Sequence, residues 1–143
     1  MLNEIIKGVS IALHRAFGFE IFVNRIEQGL QPPCFFISIL KPEESPLLGQ
    51  RSMRRNPLDI QYFPSDPSKY DEMYQAADRL MDCLAFVTLP DGDLLHGTNM
   101  SYEVIDGVLH FFVNYNLSMR KPTDNTYMET LETDVNTINS NER

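Results

Sequence analysis

The sequence predicts an α+β fold, a mostly antiparallel sheet packed with two helices, and three observations carry that prediction. Two stretches, Leu2 to Ala16 and Tyr70 to Leu84, repeat apolar residues at intervals of three and four, the period of a one-faced helix. Several runs, among them Cys34-Phe-Phe-Ile-Ser-Ile-Leu40, are rich in the aromatic and β-branched residues that suit a pleated, half-buried surface. An Asp106-Gly107 pair joins two such runs, the strongest short-range hairpin signal a sequence offers.

In the first helix Leu2, Ile5, Ile6, Val9, Leu13 and Ala16 share a face, and Gly18 ends it. A short strand is expected within Phe19 to Ile26, followed by a turn at Gly29-Leu-Gln-Pro-Pro33. Pro32 and Pro33 have no amide hydrogen to donate, so pairing should begin at Cys34. Lys41 to Gly49 contains Pro42, Pro46 and Gly49 and reads as a loop.

A strand then carries Arg51 to Phe63, with Leu58, Ile60 and Tyr62 on one face and Asp59 and Gln61 on the other. Pro57 implies that this strand starts at an edge or is broken there. Asp66 and Pro67 read as an N-cap followed by proline in the first helical position. The helix that follows has Tyr70, Met73, Tyr74, Ala77, Leu80, Met81 and Leu84 as its apolar set. Ala85 to Leu89, Leu94 to Ile105 and Val108 to Met119 are the remaining strands, and in the last of them Leu109, Phe111, Val113, Tyr115 and Leu117 face one way. The expected order is α, β, β, β, α, β, β, β.

A chain of 143 residues fits one domain with a sizeable core. Pro122 closes that domain at residues 1–122, and residues 123–143 form an acidic C-terminal tail or arm. At 43% hydrophobic and 22% charged the composition is that of a globular protein, and no apolar run approaches the roughly 20 residues of a spanning helix. The N-terminal stretch is interrupted by Glu4, Lys7, His14 and Arg15, which argues against a signal peptide and for a cytosolic protein without a membrane partner. Twelve basic against twenty acidic side chains give a charge of 12 − 20 = −8, which opposes sequence-independent binding to nucleic acid.

Catalytic motifs are missing: the chain has no His-Glu-x-x-His, no Gly-x-Ser-x-Gly, no Cys-x-x-Cys and no Gly-rich phosphate loop. No catalytic residue, metal or cofactor is therefore expected. His96 and His110, with Glu103 and Asp106 close in sequence, could be imagined as a carboxylate–histidine site, but packed or surface histidines are the better reading. Cys34 and Cys83 sit in apolar surroundings and read as reduced and buried.

The basic residues Arg51, Arg54 and Arg55 cluster between a proline-rich loop and an apolar strand. One reading is a charged edge that guards against strand-to-strand aggregation. The other is a surface that pairs with acid on a second copy of the chain, since a basic edge and an acidic tail together suit head-to-tail contacts that can close into a ring. In the tail Met128, Leu131, Val135 and Ile138 fall at intervals of three, four and three. That stripe is compatible with a frayed tail or with an arm that orders on a neighbouring subunit.

Several segments, in their joint order, resemble a family of small tail terminator proteins of phages, defective prophages and phage-tail-like bacteriocins of Gram-positive bacteria. They are Ile26-Glu27-Gln28-Gly29, Pro33-Cys34-Phe35-Phe36, the strand from Arg54 ending in Tyr62-Phe63-Pro64, and Asp106-Gly-Val-Leu-His-Phe-Phe-Val113. The resemblance covers Ile5 to Pro122 and extends weakly through Leu131. It implies a tail-terminator-like sandwich and a homo-oligomeric ring, typically a hexamer, that caps the head-proximal end of the tail tube. The cap would stop growth and offer a docking face to the head connector or form a bacteriocin collar. The implied partners are the tail tube protein and a sheath or head-connector protein, with DNA only passing through the lumen. Assembly would take place in the bacterial cytoplasm, before the protein becomes part of the particle. Arg51, Arg54 and Arg55, with Met128 and Leu131, are the expected intersubunit residues. Rival readings are a connector or stopper between portal and tail, and a small cytosolic ligand-binding domain or enzyme.

Overall fold

The computed structural model describes residues 2–24 and 30–120. The element order is α1 (Leu2–Phe17), β1 (Glu20–Val23), β2 (Cys34–Ile39), β3 (Glu43–Pro46), β4 (Arg51–Phe63), α2 (Tyr70–Cys83), β5 (Phe86–Thr88), β6 (Leu94–Ile105) and β7 (Val108–Arg120). The strands form a seven-stranded sheet in the order β1-β2-β4-β7-β6-β5, with β3 paired to β4 off this path. Two helices and a mostly antiparallel sheet make the fold α+β, as the sequence predicts.

Residue contacts divide the chain into two units. The larger comprises residues 1–44 and 54–117 and holds the core; of the smaller, residues 45–53 and 118–120 are described. In the larger unit Ile5, Val9 and Leu13 of α1 and Met73, Ala77 and Leu80 of α2 are buried with Phe35, Ile37, Leu58, Ile60, Leu109, Phe111, Val113 and Tyr115 of the sheet. The core is thus the helical faces laid on one face of the sheet, which is what the two periodicities of the sequence require. α1 ends where the sequence places its stop: Gly18 has φ 74°, and its N–H donates to the His14 carbonyl at 2.9 Å.

α1 packs against both β1 and β5, the two ends of the strand path, so the curled sheet brings its outermost strands to the same helix. The approach to β5 is close: a Cβ on Gly8 would lie 2.6 Å from Val87 Cγ1 and 2.9 Å from the Thr88 carbonyl oxygen. α2 is tied down at its C-terminus, where the buried Tyr115 hydroxyl donates to the carbonyl oxygen of the C-cap residue Leu84 at 2.7 Å.

The β6–β7 hairpin turns at Asp106 (φ 51°) and Gly107 (φ 76°), with Ile105 opposite Val108, as the Asp-Gly pair predicts. Gly107 also sits under Pro67, whose Cβ would be 2.7 Å from a Cβ at that position. Pairing of β2 begins at Cys34, opposite Glu20 of β1 and Phe63 of β4, again as expected.

Three local expectations need correction. The segment from Lys41 to Gly49 is not wholly a loop, because Glu43–Pro46 forms β3 on β4 and Leu47 N–H donates to the Arg51 carbonyl. Prolines are tolerated on so short an outer strand, where missing donors cost little. β4 runs unbroken through Pro57 and lies between β2 and β7. The Pro57 carbonyl accepts from Leu40 N–H, one step past the last β2–β4 pair, Ile39 with Leu58. A residue's N and O point to the same side of a strand, so the absent amide faces the place where β2 ends.

β1 pairs with β2 in parallel, a non-local register that no local pattern encodes. Asp66 does not cap α2, which starts at Tyr70 after Lys69. Its carboxylate instead accepts the Ser68 N–H at 3.0 Å and the Ser68 hydroxyl at 2.7 Å, and these bonds hold its pKa below the ordinary carboxylate value.

Candidate interaction surfaces

The three arginines of the basic cluster have different surroundings. Arg51 is exposed, and Leu48, in the β3–β4 connection that precedes it, is 95% exposed. Arg54 is already engaged within the chain: its Nη2 and Nε lie 2.8 and 3.2 Å from the same Glu44 oxygen, Oε1. That pair links β3 to β4, so Arg54 braces the hairpin and is partly neutralised. Arg55 is exposed. Met128 and Leu131 lie outside the described residues, as does the Ile26-Glu27-Gln28-Gly29 turn.

The face of the sheet opposite the helices carries polar groups. His110 Nδ1 lies 3.0 Å from Asp59 Oδ2, and Gln61 Nε2 donates to the same oxygen at 3.3 Å. The partner of His110 is therefore a carboxylate 51 positions away on β4, not Asp106; Glu103 faces His110 across the β6–β7 ladder. His96 stacks on Phe86 with ring centroids 4.8 Å apart, so the two histidines are not brought into one site. Among the described residues no group of three or more His, Cys, Asp or Glu side chains is placed to hold a metal ion.

Both cysteines are free thiols. Burial pushes both pKa values up, that of Cys83 to about 11, and a thiol held protonated is a poor nucleophile. A cleft of about 540 Å³ lies between α1 and β1, with Ile11, His14, Arg15, Phe19, Glu20 and Ile21 among its lining residues. No helix of the described residues is long and apolar enough to cross a membrane.

Sequence reasoning placed Tyr70 and Tyr74 in the apolar set of α2, and the structure moves them out of it. The buried stripe is Met73, Ala76, Ala77 and Leu80, while Tyr70 and Tyr74 are 49% and 46% exposed. Their rings meet edge to face, with centroids 6.3 Å apart, and Tyr102 of β6, 37% exposed, lies 6.3 Å from Tyr74. Tyr70, Tyr74, Asp78 and Asp82 are four apart in succession, so they form one ridge along the helix. That spacing was available in the sequence; what masked it was the habit of counting tyrosine as apolar.

These features are surfaces and braces, and among the described residues they bring together no constellation of nucleophile, base and oxyanion donors. A profile of the phage tail terminator protein family matches residues 4–127, nearly all of the chain. The chain belongs to the phage tail terminator protein family. The match spans both helices, but for the first two residues of α1, and all seven strands, and its extent agrees with the stretch over which the sequence resembles such proteins. No curated protein matches the chain. Membership places this chain among the structural proteins of phage tail assembly, a family that is not one of enzymes, and makes other tail or head proteins its partners.

Proposed function

We propose that this protein forms a ring that caps the head-proximal end of a finished tail tube, stops the addition of tube subunits and presents a docking face to a head connector or collar. The family match over residues 4–127 is the observation that carries this reading. Two physical features are compatible with it. A charge of −8 keeps DNA from adhering as it passes through a lumen, and an exposed Leu48 and Arg51 beside an acidic body give the chain unlike surfaces that can meet head to tail. Arg51 and Arg55 are the proposed intersubunit residues of the basic edge, with Arg54 holding the hairpin through Glu44. Met128 and Leu131 are proposed as apolar anchors of an arm that reaches a neighbouring subunit. Assembly takes place in the cytoplasm of the host cell.

The test is the length distribution of tails, seen by negative-stain electron microscopy, in cells lacking this gene. Overlong or irregular tubes are expected. Tubes of normal length that fail to join heads would replace termination by a connector role, and fully normal particles would remove the protein from assembly.

A further inference from the structure

The tyrosine and aspartate ridge of α2 is a surface whose chemistry is used by nothing described so far. Single exposed apolar side chains are ordinary, but three tyrosine rings linked through Tyr74, each between 37% and 49% exposed, form a patch with the residue type enriched at the centres of protein interfaces. The ridge continues as carboxylate: Asp78 and Asp82 are exposed, and neither forms an ion pair among the described residues. The adjacent cation is turned elsewhere, since Arg79 lays its guanidinium 4.1 Å from the centre of the Phe17 ring and donates to the Ala16 carbonyl on α1. A surface that is aromatic at one end and acidic at the other recognises a partner that is aliphatic and cationic. Arginine in particular stacks on tyrosine faces and forks onto carboxylates.

The same chain carries such a partner. The β3–β4 connection exposes Leu47 at 46% and Leu48 at 95%, followed by the exposed Arg51. We infer that the ridge of Tyr70, Tyr74, Asp78 and Asp82, with Tyr102 beside it, is the docking surface for the Leu48–Arg51 connection of a second copy of this chain. The two surfaces differ, so the contact is heterologous, and repetition with a suitable rotation closes a ring. This inference rests on the ring reading and supplies its missing half, the surface that receives the basic edge.

The test replaces Tyr74 by the photo-crosslinking residue p-benzoylphenylalanine in the full chain, expressed in cells that assemble particles. Irradiation is expected to give an adduct of two copies, with the crosslinked peptide mapping to the segment around Leu48 and Arg51. The reciprocal experiment places the same residue at position 48, where near-complete exposure makes it harmless to folding, and should map to residues 70–82. Asp78→Arg with Asp82→Arg should abolish the adduct, and adding Arg51→Glu should restore it. Adducts only to another protein, or none from either position, overturn the inference. Tail length reports termination separately: terminated tails without the adduct remove this docking surface alone, whereas normal tails in the deletion strain remove the terminator reading and leave a copy-to-copy adduct standing.

Discussion

Replacing Tyr115 by Phe removes one oxygen from the centre of the protein and tests how α2 is fastened to the sheet. Tyr115 is fully buried, and its hydroxyl donates to Leu84 O at 2.7 Å, satisfying a carbonyl that the end of the helix leaves without an intrahelical partner. Phenylalanine keeps the ring and its packing, so no large cavity arises, and the cost is the stranded carbonyl, about 1–3 kcal/mol. At about 3–4 °C per kcal/mol for a chain of this size, Tm should fall by about 3–12 °C, read by thermal circular dichroism at pH 7.

The variant should also change the alkaline limb. Burial pushes the Tyr115 pKa well above the ordinary tyrosine value, and burial followed by the hydrogen bond to Glu72 does the same for Tyr62. A raised folded pKa contributes stability that is fully present below the unfolded pKa of about 10 and is lost as pH rises beyond it. The gap between the parent and Tyr115→Phe should therefore shrink above about pH 10. An unchanged Tm with an unchanged alkaline profile would refute the argument that this hydroxyl caps α2.

Three further outcomes are expected. Gly107→Ala faces both a φ of 76° and a Cβ placed 2.7 Å from that of Pro67, and should cost about 2–4 kcal/mol in urea titrations at unchanged m-value. Arg79→Ala should cost about 1 kcal/mol through loss of the stack on Phe17 and the bond to Ala16, and Arg79→Lys should restore only part of it, because an ammonium cannot reproduce the planar contact. Glu44→Gln, at a partly exposed ion pair, should change stability by less than about 1 kcal/mol in the same titrations while freeing Arg54.

The parts of the fold that could be read in the sequence are those set by local chemistry. The α1 stop at Gly18, the Asp106-Gly107 hairpin and the inward row Leu109, Phe111, Val113 and Tyr115 each follow from a residue's own backbone preference or from a short period. The parallel β1–β2 pair, the continuity of β4 through Pro57 and the Asp59–His110 contact depend on partners 14 to 51 positions apart, where no local signal operates. β3 was hidden because Pro42 before it, Pro46 within it and the following glycine advertise a loop, and strand edges accept them. Of the interaction surface, the basic cluster was visible as composition, but the engagement of Arg54 by Glu44 was not. The receiving ridge on α2 was written in plain i, i+4 spacing and was obscured by tyrosine's dual character, apolar in body and polar at its tip.

The placement of α1 against both β1 and β5 bears on what such a protein must avoid. Open strand ends invite further strands without limit, and here the outer strands are four and three residues long, and both pack against one helix. In the proposed role of bringing a growing tube to a halt, a subunit would be poorly served by margins that could seed another polymer. Strands this short, each held to the N-terminal helix, offer little edge for such seeding, and on the proposed reading they leave side-chain surfaces to make the contacts of a closed ring.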